Sequence, residues 1–207
     1  MPRREVRELL ETRFAARITE FRGEHTFTLE PDRLIEALTI LRERRYALLA
    51  TLHGVDYLHY PGRGRADAAG PDPVQPVHGA APPPPLLEPG PDGKPLPRYG
   101  VVYSLVDPYE YDRLWLRVLV DGEPPRAPSA TAVFPGAGYP EREVYDLYGV
   151  IFDGHADLRK ILTPDDLEGH ALRKDFPIGE TPVQFGAGRF LDPAEFRAAL
   201  DGLRRRS

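Results

Sequence analysis

Residues 141–177 read EREVYDLYGVIFDGHADLRKILTPDDLEGHALRKDFP, and the rest of the chain is organised around this stretch. Acids, bases, aromatics and two histidines are packed closely together here. Pro140 is suited to open a helix that has Glu141 and Glu143 in its first turn, close to the positive end of the helix dipole. Gly149 is placed to end that helix in the left-handed conformation. Residues 136–177, called the signature segment below, are therefore predicted to form a short helix followed by a charged, loop-rich region.

Two turns are predicted within the loop. Asp153 and Gly154 form a common turn pair. The run from Thr163 to Asp166 has the pattern of a capping box that opens one short helical turn, with the Thr163 side chain as the cap.

Upstream, hydrophobic periodicity predicts an α+β body over residues 1–135. Helical spacing of apolar residues predicts helices over 4–16 and from Pro31 to about Leu41. Strands are predicted near 27–29, 46–52, 101–106 and 114–120, with a shorter one over 131–134. The last two long strands, separated by a turn at 107–110, form an antiparallel hairpin. We therefore expect a mixed or antiparallel sheet with helices on one face.

The body is interrupted by a proline-rich loop near residues 61–98, which includes four consecutive prolines at 82–85. Neither a helix nor an inner strand tolerates this composition. A surface loop is the favoured interpretation, and the alternative is a docking arm or a ligand for a proline-recognising module. Downstream, residues 178–207 are predicted to form an extended tail with a terminal helix, which has Phe196, Leu200 and Leu203 on one face.

Composition narrows the classes of function. The chain has 207 residues, a formal net charge of -5 and no cysteine. The absence of cysteine excludes disulfides, thiol catalysis and cysteine-ligated zinc or iron–sulfur sites. The mild charge does not favour a nucleic-acid binder, and we expect no such partner. No apolar stretch is long enough to span a bilayer, and no signal peptide is recognised, so a soluble protein on the cytoplasmic side is expected.

The histidines suggest one catalytic hypothesis. His155 and His170 lie among several carboxylates, a set that could bind a metal or carry protons. The spacing matches no metal motif, and the interpretation favoured here is that both rings hydrogen-bond the backbone in turns. No phosphate loop and no nucleophile elbow are present. A metal-dependent hydrolase that acts alone is kept as a remote alternative.

The pattern fits a binding surface better. Tyr145, Tyr148, Phe152, Ile161 and Phe176 alternate with charged residues. Aromatics and arginines framed by matched charges are typical of protein interfaces. The alternative is a solvated charged surface that contributes little to stability. We favour a loop-rich surface that is held in shape by internal ion pairs and fits a protein partner.

These residues also resemble a known family. The run 141–149, the Gly154-His155 pair, the run 157–162 and the run 169–177 closely resemble the C subunit (30 kDa subunit family) of bacterial NADH-quinone oxidoreductase, respiratory complex I. The strand at 101–105 also resembles the family. Tyr139 with Pro140 stands where the family usually has tryptophan before the ERE run. Ala171 replaces a usual proline, and the proline-rich segment is longer than in the family.

The resemblance implies a non-catalytic, cofactor-free subunit of the peripheral arm on the cytoplasmic side of the cell inner membrane. It would support assembly of an enzyme that transfers electrons from NADH to quinone and pumps protons. The expected partners are the subunit that resembles the large subunit of hydrogenases and the cluster-bearing subunits, and contact with the membrane is only indirect. FMN, iron–sulfur clusters and quinone would be bound by other subunits. An equivalent subunit of a membrane hydrogenase or another donor-linked complex is the alternative.

No residue is predicted to be catalytic, to bind a cofactor or to ligate a metal. The residues predicted to shape the docking surface are Glu141, Arg142, Glu143, Asp146, His155, Arg159, His170, Arg173, Lys174 and Asp175.

Overall fold

The computed structural model describes residues 3–21, 23–58 and 96–177. Within these ranges the helices are α1 (Arg4–Phe14), α2 (Leu34–Glu43) and α3 (Gly138–Tyr148). The strands are β1 (Arg17–Phe21), β2 (Glu24–Leu29), β3 (Leu48–Asp56), β4 (Tyr99–Asp107), β5 (Asp112–Val120), β6 (Arg126–Pro128) and β7 (Ile151–Asp153).

The first five strands form one mixed sheet in the order β1-β2-β5-β4-β3. Strand β2 runs parallel to β5, and the other neighbours are antiparallel. The β2-α2-β3 crossover therefore passes over β5 and β4 before β3 takes the far edge. The two short strands β6 and β7 pair in parallel in a separate ladder.

All three helices cover one face of the sheet. Val101, Tyr103 and Leu105 share one face of β4 and are fully buried. Leu10 of α1, Leu38 of α2 and Val144 of α3 belong to the same hydrophobic cluster as these strand residues. The prediction of an α+β fold with a mixed sheet and helices on one face is confirmed.

Helix α3 approaches β3 so closely that one residue of the strand must lack a side chain. A Cβ atom added to Gly54 would lie 2.6 Å from Cδ2 of Tyr148 and 3.1 Å from Cγ1 of Val144. Such distances are below van der Waals contact, so the backbone of β3 packs directly against the side chains of α3 at Gly54. This contact fixes where the signature segment leaves the sheet.

Several element boundaries differ from those predicted. The strand predicted over 131–134 is wrong, because residues 130–132 form a 3₁₀ turn and the strand lies earlier, at β6. The physical reason is local: the hydroxyl of Ser129 accepts a hydrogen bond from the amide of Thr131 and so caps the turn. Helix α3 begins at Gly138, two residues before the predicted Pro140, and β1 was not predicted.

Most of the proline-rich loop, together with the tail and terminal helix predicted over 178–207, falls outside the described residues. The division of the chain into a body, a signature segment and a tail therefore stays a prediction. Among the helices of the described ranges, none has the length and apolar character needed to cross a membrane.

The contact between Gly54 and α3 yields a stability prediction. Gly54→Ala should lower the free energy of unfolding by about 1–3 kcal/mol, because the new methyl group overpacks against Tyr148. Gly136→Ala is the matched control, since a Cβ there meets nothing within 4 Å. Urea unfolding of both variants tests this, and equal stabilities would contradict the close packing described.

Candidate functional site

Within the signature segment, the loop that follows α3 folds back along the helix. Three sets of hydrogen bonds attach the loop to the helix, at its start, middle and end. Near the start of the helix, Nε of Arg142 donates to the carbonyl oxygen of Arg159 over 3.2 Å. In the middle, the carboxylate of Asp146 holds residues 161–163. At the end, the amide of Leu172 donates to the carbonyl of Leu147 over 3.0 Å.

Asp146 provides the densest of these attachments. One carboxylate oxygen accepts three backbone amides, from Ile161 at 2.9 Å, Leu162 at 2.7 Å and Thr163 at 2.9 Å. The other oxygen accepts the Thr163 hydroxyl. The side chain is fully buried. Burial tends to raise the pKa of Asp146, but the donors from Thr163, Leu162 and Ile161 hold it below its ordinary value of 3.8.

This geometry corrects the predicted role of Thr163. The turn predicted at 163–166 is present, since the amide of Leu167 donates to the carbonyl of Pro164 over 3.1 Å. The Thr163 hydroxyl, however, donates to Asp146 rather than capping that turn. The carbonyls of the turn are instead held by Lys160, whose Nζ donates to Leu167 O over 2.6 Å.

Glu141 is the second fully buried carboxylate of α3. It accepts the amide of Ala130 at 2.6 Å and the hydroxyl of Ser129 at 2.7 Å, and so joins the helix to the 3₁₀ turn after β6. Burial raises the pKa of Glu141 above its ordinary value, and its two donors only partly oppose that shift. The two carboxylates of one helix are therefore shifted in opposite directions, because Asp146 has more donors.

Both histidines bond the backbone, as predicted. Nε2 of His155 lies 3.0 Å from the carbonyl oxygen of Gly138, and its Nδ1 accepts the amide of Asp157. Nδ1 of His170 lies 2.8 Å from the carbonyl oxygen of Asp146. Within the described residues, no group of three or more histidine, aspartate or glutamate side chains is arranged to hold a metal ion.

Gly149 fits closely between His170 and Arg173. It has the predicted left-handed conformation, with φ of 77°, and its amide donates to the carbonyl of Tyr145. A Cβ at this position would lie 2.4 Å from Nε2 of His170 and 2.5 Å from a guanidinium nitrogen of Arg173. Arg173 in turn donates from Nε to the carbonyl of Tyr148 over 2.7 Å. The end of α3 is thus enclosed by the loop that returns to it.

A charged network attaches the far end of the segment to the sheet. Arg98 donates from Nε and a terminal nitrogen to both oxygens of Asp56, at 3.1 and 2.8 Å. Arg98 also pairs with Asp175 over 2.9 Å. Asp56 further accepts the amide of Lys174 at 2.8 Å. Burial tends to raise the pKa of Asp56, but these donors hold it below its ordinary value.

The ten predicted site residues thus fall into three groups. Glu141 and Asp146 are interior, and four others are half-buried and bond backbone atoms: Arg142, His155, His170 and Arg173. The remaining four are exposed: Glu143, Arg159, Lys174 and Asp175. Predicted ion pairs do hold part of the segment, but hydrogen bonds donated by backbone amides to carboxylates hold its centre.

Sequence reasoning missed Asp56, Arg98 and Ser129. Asp56 and Arg98 flank the proline-rich segment, at the ends of two strands that pair antiparallel. If β3 and β4 had been predicted to pair antiparallel, Asp56 and Arg98 would have been predicted to lie close together. Ser129 lies directly before the wrongly predicted strand, so its capping role was hidden by that error.

The fold and the enclosed loop define a class: an α+β protein in which buried carboxylates hold a charged loop against a short helix. Residues 27–182 match the family model for the respiratory-chain NADH dehydrogenase 30 kDa subunit. The chain belongs to this family.

Individual relatives agree with the family match. The chain is 41% identical over 179 residues to NADH-quinone oxidoreductase subunit 5 of Thermus thermophilus, covering 84% of this chain and 72% of that protein. It is 37% identical over 169 residues to the C subunit of NADH-quinone oxidoreductase from Roseiflexus sp. RS-1, covering 80% and 77% respectively. The solved structure of a trypsin-resistant fragment of Nqo5 is 30% identical with a TM-score of 0.53, covering 74% of this chain and 97% of the fragment.

Asp146 yields a prediction on the stability of the loop. Asp146→Ala should lower the free energy of unfolding by roughly 3 kcal/mol or more, because it leaves several donors unpaired beside a buried cavity. Asp146→Asn keeps an acceptor of the same shape and should cost clearly less. Chemical unfolding and amide exchange at residues 161–163 measure both effects, and equal losses would mean that the carboxylate does not organise the loop.

The opposite pKa shifts predict opposite pH dependences. The pKa of Asp146 is lowered, so the stability it contributes is present above pH 3.8, its ordinary pKa, and is lost as the pH falls through its folded pKa. The pKa of Glu141 is raised, so its contribution is full below pH 4.5, its ordinary pKa, and is lost as the pH rises through its folded pKa.

The difference in unfolding free energy between wild type and Asp146→Asn should therefore grow as the pH rises from about 3 to about 7. The difference between wild type and Glu141→Gln should shrink over the same range. Urea unfolding at a series of pH values tests both slopes, and slopes of equal sign would refute the assignment.

Proposed function

We propose that this chain is a non-catalytic subunit of the peripheral arm of a proton-pumping NADH:quinone oxidoreductase. Its function is to assemble and hold the quinone-site and cluster-bearing subunits while electrons pass from NADH to quinone. FMN, iron–sulfur clusters and quinone are bound by those other subunits. The chain lies on the cytoplasmic side of the membrane and meets the membrane only through the complex. The names of its relatives support the enzyme, and the geometry of the signature segment supports the role.

The proposal rests on a set of large apolar side chains that are exposed to solvent. Two of them lie on a loop backbone that is fixed by hydrogen bonds to α3. Tyr139 is 74% exposed, Leu162 61% and Leu172 47%. Leu162 is held by its own amide to Asp146, and Leu172 by its amide to Leu147. Large exposed apolar residues on a fixed backbone are typical of an interface, because little conformational entropy is lost when a partner binds.

These residues and their charged neighbours form what we call the signature surface: Tyr139, Glu143, Arg159, Ile161, Leu162, Leu172 and Lys174. All of them lie on α3 or on loop segments attached to it. Apolar residues surrounded by charges of both signs match the core and rim of a protein interface. We assign this surface to the neighbouring subunit that resembles the large subunit of hydrogenases.

A non-catalytic role is supported by how the reactive groups are used. His155 and His170 bond backbone atoms, and the buried carboxylates of Glu141 and Asp146 accept donors from this chain. Groups committed in this way stabilise a shape. Chemistry would instead require a group directed into a substrate site, as general acid–base catalysis does.

A matched pair of tyrosines tests the signature surface. Tyr139 is 74% exposed beneath the Arg142 guanidinium, and Tyr109 in the β4–β5 turn is 75% exposed beneath that of Arg45. Tyr139→Glu should lower the amount of arm subunits that co-purify with the tagged chain from native membranes by about tenfold, because an interface core tolerates a charge poorly. Tyr109→Glu should leave it unchanged.

Melting temperatures should be similar for both variants, since both side chains are exposed. Undiminished co-purification with Tyr139→Glu, or equal loss with both, would count against the signature surface. Mass spectrometry of the wild-type pull-down identifies the electron-donor module. NADH-oxidising subunits support the proposal, whereas hydrogenase subunits would assign the chain to a related membrane complex. Metal-dependent hydrolysis by the pure chain would overturn a purely structural role.

A further inference from the structure

One edge of the main sheet is open among the described residues. Strand β3 pairs with β4 on one side and is the last strand of the five on the other. Its exposed residues include Leu48, which is 50% exposed, together with Ala50, Thr51 and His53. An open edge presents unpaired amides and carbonyls, which is the template for adding a further strand.

The register identifies which backbone groups point outward. Tyr57 donates its amide to the carbonyl of Arg98 over 2.7 Å, so these two residues form a hydrogen-bonded pair. Antiparallel pairs alternate between hydrogen-bonded and non-hydrogen-bonded positions. With Asp56 opposite Tyr99, the residues that direct both amide and carbonyl away from β4 are Leu52, Gly54 and Asp56. The regular edge ends at the β-bulge between Leu49 and Thr51.

Between its β-bulge and Asp56, this edge has no charge or proline that would oppose strand addition. Residues 48–55 read LLATLHGV and contain no Asp, Glu, Lys, Arg or Pro. The opposite edge, β1, is only five residues long and contains Arg17 and Glu20. Proteins commonly protect an edge with charges, prolines, bulges or short length, so β1 is protected along its length, whereas residues 52–55 of β3 carry none of these features.

The open edge is continuous with the signature surface. Asp56, at the end of β3, accepts the amide of Lys174, and Gly54 lies against Val144 and Tyr148 of α3. Lys174 of the signature surface therefore lies beside the last residue of β3. The signature surface and the outward amides of β3 therefore lie in adjoining parts of the described structure, joined through Asp56 and α3.

We infer that β3 accepts an extended segment of the partner subunit that binds the signature surface, so that the sheet continues across the interface. This inference rests on the proposed function. The segment would span about five residues, roughly 16 Å, opposite Leu52–Asp56. Its side chains on the helix side would be apolar, because they would lie beside Tyr148. Those on the other side would be small or polar, because they would lie beside Thr51 and His53.

Amide hydrogen exchange tests the added strand. The exchange of residues 48–58 is compared between the full chain purified alone and the chain in the complex isolated from native membranes. Assembly should slow the outward amides of Leu52 and Gly54 by about tenfold or more, since a new ladder protects them. Unchanged exchange there, with slowed exchange at residues 156–177, would overturn the strand but leave the signature surface intact. Unchanged exchange at both would overturn the proposed function as well.

A lysine on the edge gives a second test. Thr51→Lys introduces a charge on the exposed side of β3 and should reduce the retained partner subunit by about tenfold, because lysine on an edge strand opposes pairing. Thr12→Lys is the matched control on the exposed side of α1, where the Thr12 hydroxyl bonds only the carbonyl of Glu8 among the described residues. Equal retention by the two variants would contradict the inference.

The occupant can be identified directly. A photo-crosslinking phenylalanine derivative replaces Thr51 in the assembled complex, and the crosslinked peptide is sequenced. A crosslink to the partner subunit that sits on the signature surface supports the inference. A crosslink to a second copy of this chain, or to another segment of the same chain, overturns it.

Discussion

The structure of the signature segment depends on one carboxylate. Asp146 is fully buried, yet it accepts three consecutive backbone amides and a hydroxyl from residues 161–163. A buried charge is costly unless donors surround it, and here the loop itself supplies them. Each part stabilises the other, because the carboxylate pairs the amides of the loop and those amides solvate the charge of the helix.

The other contacts of the segment extend this arrangement along α3. Glu141 attaches the beginning of the helix to the turn after β6, and Arg173 encloses its end at Gly149. Arg98 connects Asp56 of the sheet with Asp175 of the loop. The Tyr99 ring lies below both Arg98 and Arg173, at 4.9 and 5.3 Å. Exposed apolar residues are thereby fixed in place rather than free to collapse onto the body.

Such a loop is consistent with the function proposed above, in which the chain binds other subunits. A flexible loop would lose conformational entropy on binding, whereas a loop held by internal hydrogen bonds has already lost it during folding. The same argument applies to β3, whose backbone is fixed by β4 and whose outer edge stays open among the described residues. Among the described residues, both the loop and β3 are thus fixed before any partner binds.

The sequence alone determined the elements whose signals are local: the three helices, the long strands of the hairpin, the left-handed Gly149 and the family. Periodicity, glycine and motif spacing are read directly from neighbouring residues. Only the tertiary structure decided which charges are buried, because Glu141 and Asp146 look like solvated residues in a charged run. Their donors come from Ala130 and residues 161–163, and Asp56 meets Lys174 from 118 positions away. Contacts between residues far apart in the chain produce no periodic pattern in a single sequence. They can therefore be identified only from the tertiary structure.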